Sequence, residues 1–159
     1  MTTRQEVIDG LQMIIREGLR TTKDFSADDW NYVVHDEEGG WTRKQVYCHL
    51  IATADVTPGF LAGIANAQEG QDTGAGLNIA EFNAQQVAAR EGASPEELRK
   101  AFETSFQQVI KAVQSMPEEH LELRRKFGAL EGTVAEMMAS ILVLHGFAHI
   151  YLSSTRAFT

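Results

Sequence analysis

Cysteine is almost absent from this sequence, since Cys48 is the only one in 159 residues. A lone thiol excludes an intramolecular disulfide framework and any metal site made of cysteines alone. Basic residues are also scarce, with 14 Lys and Arg against 22 Asp and Glu, a formal net charge of −8. Their one short cluster is 124–126. A nucleic-acid binder needs a basic face that releases counterions from phosphates, so we expect no DNA or RNA partner. A small anionic substrate held by a few cations remains compatible with this composition.

Long apolar runs are missing too. The sequence has no continuous apolar run that would span a bilayer, and its N-terminus has no charged segment leading into an apolar stretch. We therefore expect a cytoplasmic protein without a signal peptide and without a membrane partner. The length fits a single domain, 1–159, that is large enough to bury a core without disulfides.

Helix-capping residues divide the chain into α-helices. In a capping box, a Ser or Thr side chain and a Glu or Gln three residues later satisfy each other's backbone N–H groups. The predicted helix starts are Thr3 with Glu6, Thr42 with Gln45, Ser94 with Pro95, and Thr133 with Glu136. Apolar residues at helical spacing follow each start. The sequence therefore predicts four long amphipathic helices, the first of them ending near Lys23.

The connections between these helices are long. A short turn of helix is predicted around 26–32, and the segment 78–90 is either an independent short helix or a run-in to the helix at Ser94. Residues 69–76 are predicted to form a loop, and 118–131 a mixed connector. Pro58 is expected to kink or restart the second helix, because proline has no N–H to donate. No convincing strand is visible, so the predicted fold class is all-α, a four-helix bundle.

Two of the five histidines lie one helical turn apart near the end of the chain. His145 and His149 are spaced i, i+4, which places both imidazoles on one face of a helix. One helix can give two ligands to a metal ion at this spacing. The predicted inner face of the last helix consists of Met137, Ile141, Leu144, His145, Ala148 and Leu152. An unpartnered polar ring among these apolar residues would be costly.

A third histidine, His49, lies on the predicted buried stripe of the second helix, next to Val46 and Leu50. Three neutral imidazoles that face one core need partners, and one shared metal ion would satisfy all three. Three nitrogen ligands also leave coordination positions open for water or substrate, which is typical of catalytic zinc sites. The alternative is that His49 hydrogen-bonds a carbonyl while the other two lie at a wet edge of the bundle. Spacing alone does not decide between these interpretations.

Five further residues are better explained by structural roles. His35 and His120 lie in acid-rich connectors and are predicted to be solvated loop histidines. Cys48 is predicted to be a small buried thiol. Asp55 is interpreted as a surface or interface carboxylate. Trp41 is predicted to pack on its own helix as a hydrophobic staple, rather than to wall a pocket.

Three sequence elements, in order, resemble the DinB-like superfamily. Residues 40–50 (GWTRKQVYCHL) are similar to an element of that family in which a Trp and a Ser or Thr precede a His on the second helix. Residues 132–136 (GTVAE) are similar to the start of its last helix, and residues 144–150 (LHGFAHI) to its two-histidine element. The resemblance covers nearly the whole chain.

This resemblance implies a four-helix bundle in up-down-down-up order with long connections, often assembled as a homodimer. It also implies one divalent transition metal ion bound by His49 of the second helix and by His145 and His149 of the last. Characterised relatives are S-transferases that use mycothiol, bacillithiol or glutathione, including maleylpyruvate isomerases. The sequence ends at Thr159, without the second domain of the full maleylpyruvate isomerases, so that specific activity is not expected.

The leading functional hypothesis is therefore a metal-dependent S-transferase that acts on a small electrophile with a low-molecular-weight thiol as cosubstrate. Nitrogen ligands suit zinc first and nickel next, with iron and manganese also acceptable. No catalytic residue beyond the ligands can be named. The alternatives are a metal-dependent hydrolase and a non-catalytic, metal-stabilised binding or dimerisation module.

Overall fold

The four long helices predicted from the capping residues are present in the structure. The computed structural model describes residues 2–34 and 40–154. The long helices are α1 (Arg4–Thr21), α3 (Arg43–Asn66), α5 (Pro95–Ser115) and a last helix spanning Val134–Ser154. Each begins directly after the predicted capping residue and carries a complete capping box. Local hydrogen bonding therefore determines where these helices start.

Shorter elements fill the connections. They are α2 (Ala27–Asn31), α4 (Ile79–Ala88), α6 (Glu118–Glu122), β1 (Arg124–Phe127) and β2 (Leu130–Thr133). The short helix expected around 26–32 is confirmed, and the segment after residue 78 is an independent helix. The expectation of no strand is wrong, because β1 and β2 form an antiparallel hairpin within the predicted connector. The strands have four residues each, too few for an alternating pattern to stand out in the sequence.

The hairpin turns at Gly128, whose φ of 59° lies in the left-handed region. Glycine reaches this region without the steric penalty that a Cβ would bring. Glycine at the first central position is typical of a two-residue hairpin turn, and residues 128–129 link the two strands here. This local signal for the hairpin was present in the sequence.

The long helices run up, down, down and up. Helix α1 is antiparallel to α5, α3 is parallel to α5, and the last helix is parallel to α1. The contacts Arg4–Val113 and Thr22–Arg99 fix the direction of α1 relative to α5. The contacts Tyr47–Phe102 and Asp55–Ser105 do so for α3 and α5. The contacts Gly10–Val143 and Gly18–Ile150 do so for α1 and the last helix. The predicted all-α, up-down-down-up bundle is confirmed.

A row of aromatic rings forms much of the bundle core. Neighbouring rings in the row have centroids 4.8–5.5 Å apart. The rings belong, in order of contact, to Phe25, Trp30, Tyr47, Phe102 and Phe106. They join the segment before α2 to α3 and α5. The row holds α3 in register against α5, which fixes the position of the residues that follow Tyr47.

The last helix changes its hydrogen-bonding pattern in the middle. It consists of α7 (Val134–Met138), a π-helical segment (Ala139–Leu144) and α8 (His145–Ser154). A π-helical turn accommodates one more residue than an α-helical turn, so it shifts the face that follows it. Beyond α7 the buried residues are Leu142, Gly146, His149, Ile150 and Ser153.

The predicted inner face of this helix is therefore partly wrong. Met137 is buried as expected, but Leu144 is 67% exposed. Ala148 is exposed as well, and Ile141 and Leu152 are half-buried. The prediction rests on a constant α-helical spacing. The π-helical segment breaks that spacing, so the buried face lies about one residue away from the predicted face.

The expected restart of the second helix at Pro58 is also wrong. Helix α3 is continuous from Arg43 to Asn66, with Pro58 inside it. Proline removes one backbone hydrogen bond, but α3 is buried along most of its length. Packing within the bundle outweighs the local cost.

Two helices are long and apolar enough to cross a membrane by length and composition alone, α3 and the last helix. In the fold, 50% and 44% of their most apolar stretches are buried inside the protein. Core helices of soluble bundles have the same length and composition, so these two helices are weak evidence for a membrane span.

Candidate metal centre

His49 projects from the second turn of α3. The Thr42 capping box fixes the start of this helix, and Tyr47 anchors it in the aromatic row. Tyr47 also donates its phenolic O–H to the carbonyl of Gly18 on α1, at 3.1 Å. The His49 side chain is only 4% exposed, which confirms the predicted buried position. The position of His49 therefore follows from the Thr42 cap and from the contacts of Tyr47, which lie on the same helix.

His145 and His149 occupy the first two turns of α8, directly after the π-helical segment. His149 is buried and His145 is half-buried. Their i, i+4 spacing places both rings on one face, with centroids 4.4 Å apart. Because α8 lies antiparallel to α3, this face meets the turn of α3 that carries His49.

The three imidazoles converge on one point through their Nε2 atoms. His145 Nε2 lies 3.3 Å from His49 Nε2 and 2.9 Å from His149 Nε2. One ligand atom from each ring lies within 4.8 Å of the other two. The fold thus brings the three predicted ligand residues together, although His49 and His145 are 96 positions apart in the sequence.

The geometry fits a divalent metal ion. Bonds of about 2.0–2.1 Å to histidine nitrogens place ligand atoms about 2.9 Å apart at right angles and about 3.4 Å apart at tetrahedral angles. The two Nε2 distances around His145 match these values. Hydrogen bonds alone explain the cluster less well, because a ring nitrogen has a single in-plane lone pair or N–H. His145 Nε2 cannot pair well with both neighbours at once.

Burial keeps His49 neutral. The pKa of His49 is lowered to about 4, mainly by desolvation and then by the nearby His145 in its charged form. A hydrogen bond with Asn83 acts in the opposite direction. A neutral imidazole retains the lone pair that a metal ion requires. The three nitrogen donors could therefore hold a divalent transition metal ion.

Two side chains adjoin the His49 ring. The Trp41 ring packs against it, with centroids 5.2 Å apart, and Trp41 does not line the adjoining cavity. Asn83 on α4 is 4% exposed and hydrogen-bonds with the imidazole. Sequence analysis did not identify Asn83. Its burial depends on how α4 docks across α3, and α4 has only a weak apolar face.

A cavity of about 720 Å³ adjoins the cluster. His49 and His145 form part of its wall at the buried end. The rest of the wall comes from α3, α4, the loop before α4, the hairpin turn and the π-helical segment. A volume of this size accommodates a small organic molecule next to the three histidines.

Neither His120 nor Asp55 belongs to the three-histidine cluster. His120 is on α6, and the position of His35 lies outside the described residues. Asp55 pairs with Arg90 at 2.7 Å and accepts a hydrogen bond from Ser105 at 2.5 Å. It therefore links α3 to α5 and to the segment that follows α4, as a structural carboxylate.

Cys48 is fully buried, and burial raises the pKa of its thiol to about 11. We expect the native protein to react negligibly with Ellman's reagent at pH 8, because the reagent needs an accessible thiolate. Unfolding in guanidinium should release the one thiol of the chain. Cys48→Ala is the matched control and should give no signal in either state. Rapid reaction of the native protein would contradict the buried assignment.

Residues 11–147 match the sequence profile of a family described as the mycothiol maleylpyruvate isomerase N-terminal domain. The chain belongs to this family. The match covers most of the bundle, from α1 to the first turn of α8, and confirms the resemblance to the DinB-like superfamily. No functionally curated protein matches this family member.

Two solved structures share the fold of this family member. They are crystal structures of mycothiol-dependent maleylpyruvate isomerase, one of them a histidine-to-alanine mutant. Both have a TM-score of 0.68, with 17% identity for the mutant and 15% for the other. The alignments cover 92% and 97% of this chain but only 62% of each isomerase chain. At this identity the likeness establishes the fold alone.

Proposed function

We propose that this protein is a metal-dependent S-transferase that joins a low-molecular-weight thiol to a small electrophile. The observation that carries the proposal is the convergence of three Nε2 atoms at the buried end of a large cavity. His49, His145 and His149 would hold one divalent ion, zinc by preference and nickel next. Such an ion supplies Lewis acidity that lowers the pKa of a thiol, as it does for water.

The protein's own residues would position the reactants and exclude water. The Trp41 ring packs against His49 and would limit its rotation, and fixed ligand orientation commonly tunes such sites. The apolar cavity wall would hold the electrophile beside the histidines. Cys48 is buried on another side of α3 and does not line the cavity. The thiol would therefore come from solution, and the family's association with mycothiol makes that class of thiol the first to test.

The direct test combines metal analysis with a conjugation assay. Protein purified without chelator is expected to contain one divalent ion per chain. Incubation with 1-chloro-2,4-dinitrobenzene and mycothiol, bacillithiol or glutathione is expected to give a thioether with at least one of the thiols. Removal of the metal with a chelator should abolish the reaction, and adding zinc or nickel back should restore it, because thiolate formation depends on the ion.

Cys48→Ala is the matched control, and it should retain full activity. Metal-free protein after purification would contradict the proposal at its first step. Bound metal without conjugation of any thiol would favour the metal-dependent hydrolase or the non-catalytic binding module instead. Homodimer formation and a cytoplasmic location stay predictions.

A further inference from the structure

The cavity beside the histidines has a mostly apolar and partly aromatic wall. Phe60 of α3, Phe82 of α4 and Phe127 of β1 all line it. Phe60 and Phe127 meet edge to face, with centroids 5.1 Å apart. Three elements that are distant in sequence thus each contribute an aromatic ring. Such walls bind apolar groups by removing their surface from water.

The mouth of the cavity is also apolar. Leu77 is 56% exposed, Ile79 is 52% exposed and Val56 is 42% exposed, and all three line the cavity. Exposed large apolar side chains are few among the described residues, and a substantial share of them lies here. Exposed apolar surface at the edge of a cavity is typical of a groove that binds apolar ligands.

The basic residues closest in sequence to the cavity wall do not line it. Arg125 of the one basic cluster is buried and donates to the carbonyl of Ile64 at 2.9 Å. Lys126 is exposed and alternates with Phe127 along β1, so it lies on the opposite face of the strand. Arg90 is paired with Asp55. Within residues 2–34 and 40–154, no Lys or Arg lines the cavity.

The two threonine hydroxyls of the cavity wall already donate within their own helix. The Thr53 hydroxyl donates to the carbonyl of His49 at 3.0 Å. The Thr57 hydroxyl donates to the carbonyl of Thr53 at 2.7 Å. Both donors are therefore already used within α3. A carboxylate placed away from the histidines would lose its hydration without gaining a charged partner.

We infer that the electrophile of this enzyme is an apolar molecule with at most one anionic group, which lies at the histidine end of the cavity. This inference rests on the proposed function, and it specifies the class of electrophile that the proposed transferase would use. The part of the substrate that occupies the mouth is uncharged, and an aromatic or aliphatic group fits it. Small dicarboxylates are poor substrates, because their second carboxylate has no cation to meet.

A binding experiment tests this inference independently of catalysis. Metal-replete protein is loaded with the neutral fluorophore N-phenyl-1-naphthylamine. It is then titrated with naphthalene-2,6-dicarboxylic acid, its monomethyl ester or its dimethyl ester. We expect both esters to displace the fluorophore, and the diacid to require at least about a tenfold higher concentration because its second charge is desolvated. The three ligands share one ring system, so their charge is the main variable.

Two variants at the cavity mouth locate the effect. Leu77→Arg places a cation beside the second carboxylate and should bring the diacid to within a few-fold of the diester. Leu77→Gln is the matched neutral control and should leave the preference for the diester in place. Leu77 is more than half exposed, so both changes should be compatible with folding.

Two results would overturn the inference. One is a diacid that binds the wild type as tightly as the diester. The other is a failure of the wild type to bind the neutral fluorophore. If the esters bind as expected but no thiol is conjugated in the separate assay, the substrate-class inference stands for a binding site and the transferase proposal fails.

Discussion

Replacement of His145 by alanine is expected to abolish stoichiometric metal binding and to leave the helical fold intact. His145 Nε2 is the central atom of the cluster, within 3.3 Å of both other Nε2 atoms. Loss of a residue that only orients a ligand already lowers metal affinity about 10–100-fold, so loss of a ligand should lower it by more than about 100-fold. Metal content by mass spectrometry and titration against a chromogenic chelator measure the effect.

His120→Ala is the matched control, because His120 lies on α6 outside the cluster, and it should bind metal like the wild type. Thermal unfolding gives an independent readout. A ligand that binds only the folded state raises its stability, so a chelator should lower the Tm of the wild type and leave that of His145→Ala unchanged. A His145→Ala protein that retains one ion per chain would refute the three-histidine centre.

Replacement of Phe102 by alanine is expected to reduce the free energy of unfolding by about 3–5 kcal/mol. The Phe102 side chain is fully buried between the rings of Tyr47 and Phe106 and above Gly18. The substitution leaves a cavity that these neighbours cannot fill. A small domain has a total stability of about 5–15 kcal/mol, so a large part of it would be lost. Urea unfolding followed by circular dichroism measures the change.

Leu144→Ala provides the control, since Leu144 is 67% exposed, and its effect should be within about 0.5 kcal/mol. At Gly18, an added Cβ would lie 2.5 Å from the Phe102 ring, which shows how closely α1 approaches α5 here. A loss of less than about 1 kcal/mol in Phe102→Ala would mean that the aromatic row is not the centre of the core.

Most helix starts could be predicted because capping is local. The Thr3, Thr42 and Thr133 side chains each accept a hydrogen bond from the backbone three residues on. This chemistry depends on four consecutive residues and needs no tertiary contact. The hairpin was not predicted, since its strands have only four residues each, too few for an alternating pattern to stand out beside the Gly128 turn.

The candidate site was predicted only in part. The i, i+4 spacing places His145 and His149 on one face of a helix, independently of which element packs against that face. His49 could be placed on a buried stripe from its spacing, and the family pattern then favoured it as the third ligand, because no local rule relates residues on two different helices. Asn83 and the cavity could not be predicted, since both depend on α4 lying across α3 and on the hairpin closing the other side.

The sequence by itself therefore determined the helix starts, the i, i+4 pair and the helical class of the fold. Only the tertiary structure decided which residues of the last helix are buried. Its π-helical segment, Ala139–Leu144, displaces the buried face beyond it, so that Leu144 is exposed while Gly146 packs against Ile14 of α1. An extra residue in one turn costs backbone hydrogen-bonding geometry, and packing against α1 and α3 offsets that cost. These contacts join residues far apart in sequence, so local spacing could not reveal them.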